Sequence, residues 1–436
     1  MNDAISRPLR IGVDGYNLAL PQGTGVATYG RNLAAAVKRL GYTLDLIFGV
    51  HIPRSAPSDL RESMFIGQLG AEPPARLSFR RKMRRWRVHP FPHDLIEISV
   101  AGRVVQEEAG DRLPPFDRLF NLSEIFDVCA RHFRRYGRFM TLRVPNPPDI
   151  MHWTYPLPVR LAGARNIYTL HDLVPLRLPT ASLEDKRYYD RLVRACITKG
   201  DHIVTVSERS RSDIIELLGA DPKKVANCYQ SSDMPVISMP DALRSRLKRL
   251  FDLNFQEYFL YLGAIEPKKN LGRIIQGYLE ADTTTPLVIV GKEAWHADRE
   301  LKLLGVAHGR RLPGVDHIRR IDYLPRALLA DLVHGAKACL FPALYEGFGL
   351  PALEALAAGV PLLASTTGAL PEIAGDAALL VDPYSVDGIR HAIDRLDRDA
   401  PLRSQLAVEG PRQAAKFSAD AFSDRLAELY RAVAQG

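Results

Sequence analysis

Short apolar runs alternate with longer segments of helical periodicity along the whole chain. Buried parallel strands have this continuous apolar character, and the helices between them carry one apolar stripe. The pattern predicts an α/β protein with doubly wound parallel sheets. Because 436 residues are many for one hydrophobic core, we expect two such domains. The predicted strands are 9–13, 44–48, 149–153, 167–170, 202–206, 259–262, 287–290, 338–341, 361–364 and 379–381.

A polar, proline-bearing stretch near residue 235 divides this pattern into two halves. Such composition is typical of a domain boundary. We therefore expect an N-terminal domain over 1–235 and a C-terminal domain over 236–417 that face each other across a cleft, with a helix at 418–436 packing back on the first domain. Between about 50 and 148 the strand rhythm fails and Arg and Pro are frequent, which predicts a basic insertion in the first domain.

Composition excludes several classes of protein. With 46% hydrophobic and 25% charged residues, the chain is neither disordered nor collagen-like. Its four scattered cysteines fit neither a disulfide scaffold nor a paired-cysteine zinc site, so we expect reduced, inert thiols. The first residues do not resemble a secretory signal and no apolar run is long enough for a membrane span, which predicts a cytoplasmic protein. The net charge of +8 suits nucleic acid, acidic lipid or a phosphorylated substrate.

A glycine-bearing turn follows the first predicted strand. In PQGTGVATYGRNL, Gly23 and Gly25 come just before an amphipathic helix. Backbone N–H groups at such a helix start bind phosphate, and small side chains allow close approach. An ordinary turn before a helix explains the residues equally well. The spacing is not G-x-G-x-x-G, so the dinucleotide-binding fingerprint is missing.

Two lysines follow the first predicted strand of the second half. In FLYLGAIEPKKNLGRIIQGY, Lys268 and Lys269 come between that strand and the next helix. Open α/β sheets bind ligands at the carboxyl ends of their strands, where a lysine neutralises an oxyanion. The alternative interpretation is a pair of solvated lysines on a loop.

The segment ACLFPALYEGFGLPALEALAAGVPLLAS places a glycine-rich turn between a buried strand and a helix. Glu346 is predicted in the turn and Glu354 in the helix, where both carboxylates can accept hydrogen bonds from hydroxyl groups. A helical rise separates them by roughly 12 Å. Glycosidase carboxyls lie closer, at about 5 Å in retaining enzymes. The pair therefore favours sugar binding over hydrolysis, and two ordinary helix-surface glutamates are the simpler alternative.

These segments, together with HDLVPLRLP and IVTVSERSRSDI, resemble the family-4 retaining glycosyltransferases of the GT-B fold. The resemblance covers most of residues 9–50 and 149–432, and its motifs stand in the family's order. It implies two Rossmann-like domains, with the acceptor on the N-terminal side and a nucleotide-sugar bound by the C-terminal domain.

The resemblance also implies roles for individual residues. Glu354 is expected to hold the donor ribose, Glu346 and the backbone of 347–350 the transferred hexose, and Lys269 the diphosphate. The implied catalytic residues are His171, Glu346 and Lys269. The implied donor-binding residues are Gly25, Lys268, Gly347, Phe348, Gly349, Leu350, Glu354 and Ser207.

Two of these assignments have competing explanations, and the lysine motif departs from the family's pattern. His171 is explained equally by a hydrogen bond at a strand end, and Ser207 by capping a helix. Many relatives carry an arginine soon after the glycine of the lysine motif, but here Ala264 follows Gly263. Diphosphate binding is therefore expected to depend on Lys269 with help from Lys268.

The resemblance implies a retaining hexosyltransferase without cofactor or metal, and GDP-mannose is the expected donor, with UDP-hexoses next. The one Asp-x-Asp pair, Asp397 and Asp399, is interpreted as part of a solvated helix face. The expected acceptor is a saccharide or a lipid-linked glycan, as in surface polysaccharide assembly. A sugar-nucleotide epimerase, a phosphorylase and a non-catalytic protein that binds acidic polymers are the remaining alternatives, and nucleic acid is not expected as a partner.

Two basic segments lie within the predicted insertion. Residues 76–87 and 131–143 each combine several arginines with apolar residues, among them Phe133, Tyr136 and Met140, that would share one helix face. Such a helix binds the surface of an anionic membrane, which would make the protein peripheral on the inner membrane. Inward packing of the apolar residues under a solvated basic exterior is the alternative.

Overall fold

The fold was analysed in a computed structural model that describes residues 7–20, 25–53, 55–71, 93–100, 110, 112–232, 234–235, 240–305 and 312–435. The described strands form two large sheets and one small one. They are β1 (Arg10–Asp14), β2 (Thr43–Phe48), β3 (His93–Asp94), β4 (Ile96–Glu97), β5 (Arg118–Asn121), β6 (Met140–Arg143), β7 (Ile150–Trp153), β8 (Val159–Leu161), β9 (Arg165–Thr169), β10 (His202–Thr205), β11 (Val225–Asn227), β12 (Phe259–Leu262), β13 (Leu287–Val290), β14 (Ile318–Ile321), β15 (Ala338–Phe341), β16 (Leu362–Ser365) and β17 (Leu379–Val381).

Helices connect these strands and cover the large sheets. The described helices are α1 (Gly25–Arg39), α2 (Arg61–Gln68), α3 (Ile125–Tyr136), α4 (Val174–Arg177), α5 (Lys186–Lys199), α6 (Glu208–Leu218), α7 (Pro240–Phe251), α8 (Leu271–Glu280), α9 (Ala297–Glu300), α10 (Arg326–Gly335), α11 (Leu350–Ala357), α12 (Leu370–Ala374), α13 (Val386–Arg398), α14 (Ala400–Ala414) and α15 (Ala419–Gln435).

The N-terminal domain is built on a sheet with the strand order β11-β10-β9-β7-β1-β2-β5-β4. Its neighbouring strands are parallel except β4, which is antiparallel to β5. The chain moves from β1 to β2 on one side and continues on the other side with β7. The boundary between β1 and β7 is therefore a topological switch point, where open α/β sheets form a crevice at the carboxyl ends of the strands.

The C-terminal domain repeats this plan in a fully parallel sheet with the order β14-β13-β12-β15-β16-β17. The switch point lies between β12 and β15. The strands β13, β15 and β16 are buried along their whole length, since helices pack on both faces. The crevice at this switch point is formed by the loops that follow β12 and β15.

The predicted doubly wound architecture is confirmed, and all ten predicted strands are present. β12, β13, β15 and β17 have the predicted bounds, and the ends of the others differ by one or two residues. The region between 50 and 148 differs from the expectation, because β5 pairs in parallel with β2 inside the main sheet. Its sequence, Arg118-Leu-Phe-Asn121, is too short and too polar at its ends to stand out as an apolar run.

The last helix, α15, lies against α1 of the N-terminal domain. Tyr430 OH lies 2.8 Å from His152 Nδ1 on β7, and the rings of Phe422 and Tyr29 are 6.0 Å apart. The four cysteines are buried and unpaired, as predicted. Among the described residues, no helix has both the length and the apolar character that a membrane crossing requires.

Candidate active site

The two segments predicted to bind the donor meet at the switch point of the C-terminal sheet. β12 leads into the lysine turn, and β15 leads into the glycine-rich turn. Lys269 Nζ lies 2.6 Å from Glu346 Oε1. The Leu344 N–H donates to the carbonyl oxygen of Lys268 at 2.8 Å. The two turns therefore form one site.

Asn270 holds the lysine turn in place. It follows the 3-10 turn Pro267–Lys269 with a left-handed backbone of φ 65°, a conformation that asparagine tolerates better than most residues. Its buried Nδ2 donates to the carbonyl oxygens of Pro342 at 2.9 Å and Pro383 at 2.7 Å. Asn270 thereby connects the loops that follow β12, β15 and β17.

Both lysines lie among carboxylates. The side chains of Lys269 and Glu346 are only 13% and 10% exposed, so water screens their contact weakly. Lys268 Nζ lies 3.5 Å from Glu266 Oε1. Burial lowers the pKa of Lys268, but nearby carboxylates, Glu346 first among them, outweigh it and raise that pKa above the ordinary value. Another of these carboxylates is Asp172 of the N-terminal domain, which places Lys268 at the cleft.

The glycine-rich turn contacts the N-terminal domain through Gly347. A Cβ atom here would lie 2.7 Å from the carbonyl oxygen of His171 and 2.6 Å from the Asp172 Cβ. Ser210 Oγ lies 2.9 Å from the His171 carbonyl oxygen and 3.3 Å from that of Gly347. Gly349, with φ 97°, needs the conformational freedom of glycine. Backbone from both domains is therefore in contact at this turn.

The rest of the predicted hexose and ribose ligands lie around α11. Glu354 lies inside this helix and is 7% exposed, and its Oε1 is 3.8 Å from Arg326 Nη2 at the start of α10. Phe348 is buried and packs against Phe417 with ring centroids 5.8 Å apart. Leu350 is the first residue of α11. Phe348 thus has a packing role, whereas Glu354 has a cationic neighbour.

Gly25 and Ser207 approach the site from the N-terminal domain. Gly25 begins α1, and a Cβ atom there would lie 3.6 Å from Leu350 Cδ1, so it stands opposite the glycine-rich turn. Residues 21–24, including Gly23 of the predicted turn, lie outside the described residues. Ser207 is fully buried, and its Oγ accepts a hydrogen bond from the Ser210 N–H at 3.0 Å. Ser207 therefore acts as the N-cap of α6.

His171 follows β9 and faces the same cleft. Its Nε2 lies 2.9 Å from the carbonyl oxygen of Thr154, which follows β7. Its ring packs at 88° on the ring of Tyr29, with centroids 4.9 Å apart. Burial lowers the pKa of His171 below the ordinary value, so the ring is neutral at pH 7. The strand-end hydrogen bond of the alternative explanation exists, and its partner is the Thr154 carbonyl oxygen.

A set of contacts that we call the interdomain clasp joins the domains beside the site. The carboxylate of Glu372 accepts hydrogen bonds from the N–H groups of Glu208 and Arg209, the first residues of α6, at 3.0 Å each. Tyr345, next to Glu346, donates its hydroxyl hydrogen to Asp213 on α6. The N-terminus of a helix favours negative charge. At the start of α6, the Glu372 carboxylate from the other domain supplies it.

The sequence analysis missed Glu372, Tyr345 and Asp213 of the clasp, and it missed Asn270. Glu372 directly follows Gly-Ala-Leu-Pro in the sequence, and nothing in that pattern indicates that its side chain crosses the cleft. Asn270 carries a weak signal, because an asparagine between a lysine pair and a helix suggests a left-handed backbone. Two further residues were overlooked. Asp14 is a charged residue at the end of an apolar strand, and Arg326 follows Pro325 at the start of α10.

The prediction of one amphipathic helix over 131–143 was wrong. α3 ends at Tyr136, Gly137 adopts φ 65°, and Met140 begins β6. Phe133 and Met140 are buried, and Tyr136 is 49% exposed. Phe133 and Met140 therefore pack inward, as in the alternative interpretation, whereas Tyr136 does not. The other basic segment, 76–87, lies outside the described residues.

The interpretation of Asp397 and Asp399 as a solvated face was also wrong. Asp397 is mostly buried and accepts hydrogen bonds from Thr283 and Thr285 beside Lys337, whereas Asp399 caps α14 through the Leu402 N–H. Both carboxylates are structural. In the described part of the chain, no group of three or more His, Cys, Asp and Glu side chains is arranged to hold a metal ion.

Comparisons with known proteins agree with this geometry. The family model described as glycosyl transferases group 1 matches residues 249–413, and that of a glycosyl transferase 4-like domain matches residues 24–227. The O-antigen chain mannosyltransferase B of Escherichia coli is 33% identical over 267 residues, which are 60% of this chain and 68% of that protein.

Two further likenesses extend the comparison. The serotype-specific mannosyltransferase WbdA of Escherichia coli is 25% identical over 331 residues, 69% of this chain but only 40% of that longer protein. Sucrose-phosphate synthase from Thermosynechococcus elongatus superimposes with a TM-score of 0.65 at 18% identity, covering 98% of this chain and 99% of that one. The structural likeness supports the fold alone. Taken with the two family models and the 33% identical relative, it leads to one conclusion: the chain belongs to the group 1, family-4-like glycosyltransferases of the GT-B fold.

Proposed function

We propose that this glycosyltransferase moves a mannosyl group from GDP-mannose to a hydroxyl group of a saccharide or lipid-linked glycan, with retention at the anomeric carbon. The observation that carries the proposal is the 2.6 Å contact of Lys269 and Glu346 at the switch point, with His171 across the cleft. A cation for the leaving group and a carboxylate for the sugar are thereby side by side. Mannose is favoured because two relatives are named mannosyltransferases.

In the proposed reaction the bond between the anomeric carbon and the diphosphate oxygen breaks while the acceptor oxygen bonds to the same face of the sugar. The acceptor proton passes to the leaving diphosphate oxygen. Negative charge grows on the diphosphate and positive charge on the ring, so Lys269 and Lys268 stabilise the transition state more than the ground state. Because the lysines carry this role, we expect the enzyme to be active without a metal ion. Activity in EDTA would support this expectation, and a strict dependence on Mg²⁺ would contradict it.

Glu346 is proposed to orient the hexose. Its buried Oε1 lies 2.6 Å from Lys269 Nζ. A carboxylate oxygen can accept a second hydrogen bond, and a sugar hydroxyl would supply it. The rest of the donor is proposed to lie among Gly25, Lys268, Gly347, Gly349, Leu350, Glu354 and the loop at Ser207. Phe348 is proposed to support the glycine-rich turn by packing on Phe417.

The donor is tested by the melting temperature of the protein with GDP-mannose, GDP, UDP-glucose and UDP-galactose, because a ligand that binds the native state stabilises it. We expect GDP-mannose to raise it most. Greater stabilisation by a UDP-hexose would overturn the choice of donor.

The reaction is tested with GDP-mannose and an α-mannoside acceptor, and the anomeric configuration of the product is read by NMR. An α-linked product supports retention, and a β-linked product contradicts it. Loss of donor without acceptor indicates an epimerase or hydrolase, and dependence on inorganic phosphate indicates a phosphorylase.

A cytoplasmic, peripheral place on the inner membrane is part of the proposal, because the acceptor is expected to be lipid-linked. The apolar residues Phe133 and Met140 are buried, so attachment through 131–143 would depend on arginine charge. Co-sedimentation with phosphatidylglycerol vesicles at low salt, lost at high salt, is the expected result. Absence of binding at low salt would remove the membrane from the proposal.

A further inference from the structure

The tautomer of His171 is determined by the atom that its Nε2 faces. That atom is the carbonyl oxygen of Thr154, at 2.9 Å, and a carbonyl oxygen only accepts hydrogen bonds. Nε2 must therefore carry the proton. In a neutral ring the other nitrogen, Nδ1, then carries a lone pair and no hydrogen.

Thr154 is itself held by a buried carboxylate at the end of β1. Asp14 Oδ2 accepts the Thr154 N–H at 2.5 Å, and Oδ1 accepts the Thr154 hydroxyl hydrogen at 3.1 Å. The Tyr16 N–H donates to the same Oδ1 at 3.1 Å. Asp14 and Thr154 are each 1% exposed, so these bonds are sheltered from water. The carbonyl that faces His171 consequently has a fixed position.

The ring of His171 cannot easily turn over within this frame. Tyr29 packs against it edge to face and is fully buried. The Tyr29 hydroxyl lies 3.1 Å from Thr169 Oγ1 on β9, which holds the tyrosine in place. Thr154 on one side and Tyr29 on another therefore leave one orientation of the imidazole.

We propose that Asp14 and Thr154 are positioning residues that hold His171 in its Nε2–H form, so that Nδ1 acts only as a hydrogen-bond acceptor. Nδ1 makes no hydrogen bond with the described residues. A sugar hydroxyl can donate to such a nitrogen, whereas an ionised phosphate oxygen has no hydrogen to offer. The donor contact that the family resemblance implies for His171 is therefore one with a hydroxyl of the hexose and not with the diphosphate. This assignment of the ligand depends on the proposed function, but the tautomer does not.

The tautomer is measured without ligand, by NMR of protein labelled with ¹⁵N-histidine. His171→Gln identifies the His171 signals by their loss. We expect an unprotonated Nδ1 and a protonated Nε2, also in Thr154→Ser, which keeps the hydroxyl. A protonated Nδ1 in the wild-type protein would overturn the proposal.

Asp14→Asn tests whether the carboxylate positions the ring. The N–H groups of Thr154 and Tyr16 donate to different oxygens of Asp14. In an amide one of these oxygens becomes an NH2 group that faces an N–H group, so the carbonyl loses its fixed position. We expect signals of both His171 tautomers and a fall in kcat/KM for GDP-mannose of about tenfold, which corresponds to one lost hydrogen bond, with GDP affinity unchanged.

The matched control for Asp14→Asn is Asp45→Asn, which removes a buried carboxylate of the same sheet that pairs with Arg118. It should lower the melting temperature and leave the His171 tautomer unchanged. An unchanged tautomer in Asp14→Asn, or the same tautomer mixture in the control, would remove Asp14 from its role.

The ligand is tested by adding GDP or GDP-mannose to the labelled wild-type protein. The proposal expects GDP-mannose, and not GDP, to shift the His171 Nδ1 signal. An equal shift with GDP would overturn the hydroxyl contact. If GDP-mannose does not change the melting temperature, the proposed donor is wrong, while the tautomer measured without ligand still decides the role of Asp14 and Thr154.

Discussion

At the scale of single residues, the positive charges of two lysines in the site are offset by the carboxylates around them. Lys269 is paired with Glu346, and Lys268 with Glu266. A donor diphosphate adds negative charge to this group, so Lys269 must share its charge between Glu346 and the phosphate oxygens. Binding of the donor therefore also releases Glu346 Oε1 for a hydroxyl of the sugar.

Replacing Glu346 by Gln tests this exchange. The amide has nearly the same shape but no charge, so we expect kcat to fall by about a hundredfold, in the range of a lost transition-state contact. The affinity for GDP should be unchanged or higher, because Lys269 is then free to bind phosphate. Calorimetry with GDP and steady-state kinetics measure both quantities. Trapping of a glycosyl adduct on Glu346 would contradict an orienting role.

Among these residues, the family resemblance implied that Lys269, Glu346 and His171 belong to one site, whereas their local patterns alone also fitted simpler explanations. The contact between Lys269 and Glu346 was beyond the sequence, because it depends on β12 and β15 being neighbours although β13 and β14 lie between them in the chain. Thr154 was also beyond it, since its backbone carbonyl, and not its side chain, contacts His171.

At the scale of secondary-structure elements, the loops after β12, β15 and β17 are held together by Asn270. Glycine at this position keeps the left-handed backbone. It loses the two buried hydrogen bonds that Nδ2 donates and the one that Oδ1 accepts from Arg273 Nη1 at 2.9 Å. Alanine loses these hydrogen bonds and the left-handed backbone as well.

We expect Asn270→Gly to lower the free energy of unfolding by about 2 kcal/mol, at about 1 kcal/mol for each of the two buried hydrogen bonds. Asn270→Ala should lower it by about 1 kcal/mol more, because its Cβ disfavours the left-handed conformation. Urea unfolding of the three proteins gives the comparison. Equal stability of the two variants would show that the backbone conformation is not a constraint.

The elements that the sequence predicted best are the parallel strands, because burial on both faces makes them continuous apolar runs. It failed where an element is short or where its pattern changes within a few residues. β5 begins with Arg118 and ends with Asn121, and the supposed helix over 131–143 is interrupted by Gly137 in a left-handed conformation.

At the scale of the whole molecule, the interdomain clasp brings the N-terminal domain to the donor site. Glu372 and Tyr345 both extend from the C-terminal domain to α6. Without the clasp, fewer contacts would hold the His171 carbonyl against Gly347, and we expect the cleft to open.

Glu372→Gln should weaken the clasp, because the two N–H groups donate to different oxygens of Glu372 and the amide would turn its NH2 group toward one of them. We expect a larger radius of gyration in small-angle scattering without ligand. The affinity for GDP-mannose should fall by up to about tenfold, since the closed state is populated less. The control is Glu409→Gln, which changes an outward glutamate paired with Arg412. An unchanged radius and affinity would show that the clasp does not hold the domains.

Acid should loosen the contact between α15 and the N-terminal domain through His152. Burial lowers the pKa of His152 from 6.5 to about 3, so the unfolded chain binds the extra proton first as the pH falls. The contribution of His152 to stability should therefore be constant above about pH 6.5 and fall by about 1.4 kcal/mol per pH unit below it. Unfolding measured between pH 4 and pH 8 should show a slope about that much shallower in His152→Gln, and an equal slope would contradict this assignment.

The central claim is that the lysine turn and the glycine-rich turn together bind an activated sugar. The most direct measurement is calorimetric titration of GDP-mannose into the wild-type protein, Lys269→Ala and the control Lys248→Ala, whose lysine is exposed and pairs with Asp252. The account predicts that Lys269→Ala binds about tenfold to a hundredfold more weakly, as for a lost charge-assisted hydrogen bond, and that Lys248→Ala binds like wild type. Equal affinity in all three proteins would contradict it.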